Sequence, residues 1–431
     1  MEKNDNWQPI LEGDLADQAR HAVEEIAQAL GDLVSDSSDH PPDAPMRYRT
    51  PFSLAGGSSG QALFFAYLNS VWPGQGHDEK AMELLERAIG EMGEAQAPPG
   101  LYSGFSGVAW TVEHLQGRLI DSEEEDPGEE IATALAEHLG RSPWYGDYDL
   151  ISGLAGFGVY AIERLPRPLG RECAEQTLDR LAELAEETPQ GITWKTSPDL
   201  MIPTTRELFP EGNYNVGVAH GVPGVVGWLA EMVAAGVAPE KSRRLLAGAM
   251  DWILAQKLPP GQGSVFPYSV AREHEPGPSR LAWCYGDLGI AVALLAAARA
   301  AGEPAWEREA LETARVAAAR PADTAGVLDA GLCHGAAGNA HIFNRLYQAS
   351  GDPALGEAAR FWFERALSMR TEDGLGGFVA YVPDEEGTLT WRGDPGFLTG
   401  IAGIGLALLG GIAPVEPAWD RVLLTAVPPR G

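Results

Sequence analysis

The chain has 431 residues, 45% hydrophobic and 21% charged, so it can bury a large core. Its formal net charge of −30 at pH 7 argues against nucleic acid as a partner, because phosphate binding needs clustered Lys and Arg. Three cysteines cannot build a disulfide framework, and the apolar runs are too short to span a bilayer.

From the N-terminus, Met1 to Asp17 is polar and acidic, without the charged and apolar regions of a secretory signal, so a cytoplasmic location is expected. A Gly-x-x-Gly followed by an apolar helical run then recurs seven times, at Gly57, Gly104, Gly153, Gly221, Gly286, Gly335 and Gly400. The intervals between these glycines are 47, 49, 68, 65, 49 and 65 residues. Between the glycine-led helices runs a second set with one apolar face, beginning with Leu15-Ala19-Val23-Ile26-Leu30 and ending with Ala359-Trp362-Ala366. The glycine-led runs, such as Ile290 to Leu295 and Ile401 to Leu409, are apolar on every side and must be buried.

Seven alternations of outer and inner helix predict an all-α fold, an α/α toroid (barrel) of seven helical hairpins, as a single domain over residues 1–431. The N-terminal ends of the inner helices would share one mouth, where free N–H groups and positive dipole ends would favour anionic chemistry. Three intervals carry extra, non-helical length: Gly191 to Gly217, Pro259 to Arg280, and Gly374 to Gly396 with short β-like runs. Long loops on one rim of a rigid scaffold commonly serve recognition. Ser122 to Asp126 reads as a solvated acidic linker, and Cys173, in an amphipathic run, as a small buried hydrophobe.

Four mouths carry chemistry: Asp147-Tyr148-Asp149 before Gly153, Gly217-Val218-Ala219-His220 before Gly221, Arg280 with Trp283-Cys284-Tyr285 before Gly286, and Cys333-His334 before Gly335. His220 and His334 immediately precede their glycines, and Cys284 and Cys333 precede theirs by two. Two thiolates and one neutral imidazole suit zinc and leave a fourth tetrahedral position open, which points to catalysis. Such a formally neutral, sulfur-rich centre lowers a bound thiol's pKa while leaving its sulfur nucleophilic, so thiolate delivery fits better than hydrolysis. His220 is left for proton transfer; Asp149 could orient it, and Arg280 could hold Asp149 or meet a developing oxyanion. Trp283 and Tyr285 read equally as packing or as substrate contacts, and His341 as core.

Taken together, the seven glycine repeats, Trp283-Cys284-Tyr285-Gly286, Cys333-His334-Gly335, Gly217 to Gly221 and Phe397 to Gly405 resemble the lanthionine synthetase C-like family, the cyclases of lanthipeptide biosynthesis. The resemblance covers nearly the whole length; Leu288 departs from it, standing where the family often has proline. It implies zinc at Cys284, Cys333 and His334, with acid/base and orienting roles at His220, Asp149 and Arg280 and with Tyr285 nearby. The implied reaction adds a cysteine thiolate of a ribosomally made precursor peptide to dehydroalanine or dehydrobutyrine, closing a (methyl)lanthionine thioether ring. The implied partners are the dehydrated precursor peptide, leader plus core, and a separate dehydratase; the resemblance also leaves room for a membrane-associated modification and export complex. Two other readings remain at this point: addition of glutathione or another small thiol to dehydroamino acids, and a non-catalytic zinc scaffold. A toroidal glycosidase is disfavoured because its paired carboxylates are not evident.

Overall fold

The computed structural model describes residues 6–35, 50–120, 126–272, 274–383 and 388–430. Ser122 to Glu125 of the acidic linker lies outside the described residues. The chain divides into two compact units, Met1–Pro127 with Val327–Asp420 and Pro428–Gly431, and Gly128–Gly326 with Arg421–Val427.

In the first unit the glycine-led helices are α2 (Ser58–Val71), α4 (Phe105–Leu115), α13 (Ala336–Ser350) and α15 (Ile401–Ile412). Their amphipathic companions are α1 (Gly13–Ser35), α3 (His77–Glu94) and α14 (Pro353–Ser368). The glycine-led helices stand side by side in the order α13, α15, α2, α4. Each amphipathic helix packs on the glycine-led helix before it, α3 on α2 and α14 on α13. The first helix, α1, packs on the last, α15. Pairing is thus inner helix with the following outer one, not the outer-then-inner order in which the elements run. The N-terminus supplies the missing partner of α15, and the backbone of Ile10 and Leu11 donates to Gly411 there.

In the second unit α6 (Leu154–Glu163), α9 (Val222–Ala234) and α11 (Asp287–Ala301) are glycine-led and adjacent in that order. Behind them lie α7 (Pro168–Leu184), α10 (Pro239–Leu254) and α12 (Pro304–Ala318), with α5 (Glu129–Leu139) against α7. Every residue of α15 from Ile401 to Gly411 is buried, as its sequence requires.

The repeat glycine is the N-cap of each glycine-led helix, and none of these caps makes a side-chain bond. A loop folds back over each helix start. An added Cβ on Gly57, Gly104, Gly153, Gly221, Gly286 or Gly400 would run into the carbonyl oxygen six residues upstream. That carbonyl accepts the first-turn N–H in four of these repeats, for example Ser58 to Pro51 at 2.7 Å, Phe105 to Pro98 at 2.9 Å and Ile401 to Asp394 at 2.8 Å, and in the Gly335 repeat Ala336 donates likewise to Asp329 at 2.9 Å. This corrects the expectation of free N–H groups at the mouth. Glycine there is a clearance for the loop's own backbone, and the orphan donors are taken up internally.

The extra lengths are mostly irregular, with two short hairpins and one strand pair that joins the first insertion to the second. β1 (Glu186–Thr188) pairs β2 (Gly191–Thr193), β3 (Tyr214–Asn215) pairs β4 (Ser269–Val270), and β5 (Ala380–Pro383) pairs β6 (Leu389–Arg392), all antiparallel. One difference is a short helix, α8 (Pro203–Leu208), inside the first insertion. Proline at its first turn presets φ, and the Arg206 guanidinium gathers the carbonyls of Pro198, Asp199 and Met201 at 2.8 to 3.3 Å.

Candidate functional site

Counting from the repeat glycine gives each loop a common register. The residue three before it is a buried apolar anchor every time: Leu54, Leu101, Leu150, Val218, Trp283, Leu332 and Phe397. The residue two before it is held by its backbone to the next loop. In the first unit Cys333 N donates to Leu398 O (2.8 Å), Leu398 N to Ala55 O (3.0 Å) and Ala55 N to Tyr102 O (2.9 Å). In the second, Ala219 N donates to Cys284 O (3.3 Å), and Ala219 O accepts the N–H of the anchor residue Leu150 (3.1 Å). The anchor points inward, so the next two side chains are presented at the helix N-terminal end on a fixed backbone. Those two positions carry Cys284 and Tyr285, Cys333 and His334, and His220.

Cys284 Sγ, Cys333 Sγ and a ring nitrogen of His334 lie within 4.8 Å of one another, a group that could hold a metal ion. Ligand bonds of about 2.0–2.3 Å at tetrahedral angles separate donors by roughly 3.5–4 Å, so the set fits zinc with small side-chain adjustments. Cys284 is buried, and Cys333 and His334 are half-buried. Cys173 is buried elsewhere, with its thiol against the Ala132 carbonyl and its pKa pushed up to about 12 by burial.

His220 Nδ1 lies 2.6 Å from Asp149 Oδ2, with the ring half-exposed and the carboxylate buried. Asp149 Oδ1 also accepts the Ser152 N–H at 2.8 Å, which fixes its orientation. Burial disfavours the imidazolium, but the Asp149 hydrogen bond and the negative charges of Asp149, Cys284 and Asp147 outweigh it, so the His220 pKa is raised. Asp147 is pushed up to about 7 by burial and by the Asp149 charge, against a smaller opposing pull from His220. Asp147 can therefore carry a proton near neutral pH beside the His220 imidazole.

Tyr285 stacks on His220 at 6.2 Å between ring centroids, and its hydroxyl accepts from Asn215 Nδ2 at 3.0 Å. Arg280 Nε donates to the Tyr268 hydroxyl at 2.7 Å, a partner the sequence did not suggest. Tyr268 in turn packs on Tyr285 at 5.3 Å. The β3–β4 pairing carries Asn215 and Tyr268 to this place, since Asn215 pairs with Ser269 and Val216 N donates to Tyr268 O. Asn215 and Tyr268 are the residues that sequence reasoning missed. For Asn215 a signal existed: it stands six before its glycine, as Arg280 and Asp147 stand before theirs. Trp283 is packing, fully buried with its indole N–H on Leu423 O. His341 is core as expected, bonded to Asp420 within a buried Arg345–Asp420 pair.

Residues 48–424 match the family described as lanthionine synthetase C-like protein. The chain belongs to that family. A relative from Danio rerio, "Glutathione S-transferase LANCL1", is 23% identical over 340 residues, 78% of each chain. The solved structure of "Nisin cyclase" superimposes with a TM-score of 0.72 at 19% identity, covering 93% of this chain and 98% of that one. The fold class is accordingly the α/α toroid of seven helical hairpins, with inner and outer helices and short β-like insertions. Among the described residues no helix is long and apolar enough to cross a membrane.

Proposed function

We propose that this protein is a zinc-dependent lanthipeptide cyclase that acts as one domain over residues 1–431. It would add cysteine thiols of a dehydrated precursor peptide to dehydroalanine or dehydrobutyrine. The observation that carries this reading is the donor set of Cys284, Cys333 and His334, three groups within 4.8 Å with two of them thiols. When bound there, zinc would supply a Lewis acid that keeps a substrate thiol deprotonated near neutral pH. The remaining chemistry belongs to the chain's own side chains. His220 takes the thiol proton, with Asp149 holding the imidazole by Nδ1 so that Nε2 faces the substrate. As the S–C bond forms at the β-carbon, the electron pair moves onto the α-carbon and carbonyl oxygen. Arg280 and Tyr285 stabilise that enolate, and His220 returns a proton to the α-carbon, closing the thioether without any leaving group. The peptide arrives already dehydrated, so a separate dehydratase must act first.

The test is elemental analysis of protein purified without added metal, followed by incubation with a dehydrated, cysteine-containing peptide. Ring formation is read as lost thiol alkylation and confirmed by fragmentation mass spectrometry. About one zinc per chain and protected thiols support the reading. Less than a tenth of an equivalent of zinc together with freely alkylated thiols overturns it. A second reading, addition of glutathione to dehydroamino acids, is favoured by the name of the Danio rerio relative. It uses the same residues and is separated by offering glutathione and a dehydrated peptide without cysteine.

A further inference from the structure

Three of the large apolar side chains left exposed belong to one part of the first unit: Leu328 at 58%, Leu389 at 52% and Trp391 at 52%. Leu389 and Trp391 are two apart on β6 and therefore share a face. The register pairs Trp391 with Tyr381 and Leu389 with Pro383, which puts Tyr381 and Pro383 on that same face. The Tyr381 and Trp391 rings lie 5.0 Å apart. The opposite face of β5, Ala380 and Val382, is buried. The pair therefore buries small apolar residues inward and turns its larger apolar and aromatic ones outward, the reverse of an ordinary surface strand.

The position of this face is fixed by Asp329. Its Oδ2 accepts the Tyr381 N–H at 3.1 Å, its Oδ1 accepts the Gly331 N–H at 3.1 Å, and its carbonyl accepts the Ala336 N–H at 2.9 Å. One residue thus ties β5 to the loop that presents Cys333 and His334. Leu328 is the neighbour of Asp329 in the chain.

We propose that the outward face of β5–β6, with Leu328, docks apolar side chains of the peptide substrate beside its reacting cysteine. The inference rests on the reading that the substrate is a polypeptide. An extended peptide reaching the Cys333–His334 loop would pass the pair tied to that loop. Aromatic rings with few rotatable bonds are suited to holding varied apolar residues at low entropic cost. The other occupants of an apolar face are a membrane or a second copy of the chain, and a net charge of −30 opposes both.

The test uses two synthetic peptides, each with one dehydroalanine and one cysteine, one flanked by Phe and Leu and the other by Ser and Gly. The full-length protein should prefer the apolar-flanked peptide by about tenfold in kcat/KM, the scale set by truncating a single aromatic side chain at a binding surface. The Leu389→Ser/Trp391→Ser double variant should lose that preference through KM, with its zinc content retained. The proposal is overturned if the parent does not discriminate between the peptides. It is overturned equally if the variant still discriminates, or if kcat and zinc fall together. A parent dimer that the double substitution dissolves would assign the face to a second copy instead. If the parent cyclises neither peptide, the cyclase reading itself fails and this inference falls with it.

Discussion

The Asp149–His220 pair allows its own contribution to be worked out. Asp149 is 6% exposed and holds two donors, the imidazole at 2.6 Å and the Ser152 N–H at 2.8 Å. Asp149→Asn keeps the shape but removes the charge and one acceptor. A hydrogen bond to a charged group contributes about 1.5–3 kcal/mol and a neutral one about 0.5–1.5, so about 1–2 kcal/mol of support for the imidazolium is lost, five- to thirtyfold in rate. The amide has one oxygen for two N–H donors, so the ring also samples the wrong tautomer. Together these predict a kcat lower by about 10- to 10³-fold, within the range of a general acid/base defect. Ring formation by the parent and by Asp149→Asn, each with zinc measured, provides the assay. A variant cyclising at the parent rate would refute the orienting role. The pH dependence supplies a second readout. The folded pKa of His220 is raised, so the pair stabilises the fold fully below the unfolded value near 6.5 and loses that contribution as pH rises through the folded value. Asp147, raised from 3.8 to about 7, works in the same direction: its protonated form is favoured in the fold, and that contribution is lost as pH rises from the unfolded value through about 7. The stability difference between parent and variant should therefore shrink from pH 6 to pH 9. A difference that grows would show the sign to be wrong.

Cys333→Ala should lose zinc and cyclisation yet stay folded by circular dichroism, because its backbone bond to Leu398 does not need the thiol; unfolding at room temperature would make the centre structural. His220→Asn should retain zinc and peptide binding while kcat falls by about 10²–10⁴-fold, and a parent-like rate with the correct ring pattern would assign the proton elsewhere. Gly104→Ala, far in sequence from the proposed ligands, should destabilise by about 2–4 kcal/mol in urea titration, since its Cβ would overlap the Pro98 carbonyl oxygen. Arg345→Met should cost about 3–5 kcal/mol by taking the guanidinium counter-charge from the buried Asp420 carboxylate, with a loss below about 1 kcal/mol contradicting that account.

Much of this was legible in the chain because the repeat glycine writes the same constraint seven times. Its spacing gave the helix starts, and the all-round apolar runs after it marked the buried set. The same glycine also supplied the register on which Cys284, Cys333, His220 and His334 could be compared. Three things were not legible. The pairing of α1 with α15 joins the two ends of the chain, with no local pattern to reveal it. The upstream carbonyls that cap the helices leave no side-chain signature, so the N–H groups read as free. Asn215 stands at a register position that could be read, but its meeting with Tyr268 is made by a pair of two-residue strands, too short to show any period of two.

The register also explains how a buried scaffold can carry exposed chemistry. Three residues before each glycine the side chain is apolar and buried in every repeat, so this position fixes the loop and leaves no freedom for function. The next residue is held through its backbone N–H or carbonyl to the neighbouring loop, as Cys333, Leu398, Ala55 and Tyr102 are in sequence. Backbone bonds of this kind are indifferent to the side chain, so Ala55 and Leu398 occupy the same frame as Cys333 at no cost to the loop. Chemistry can then be altered one repeat at a time without redesigning the fold. The metal ligands and His220 are on that reasoning substitutions on a constant frame, and their removal should be felt in metal content and rate far more than in stability.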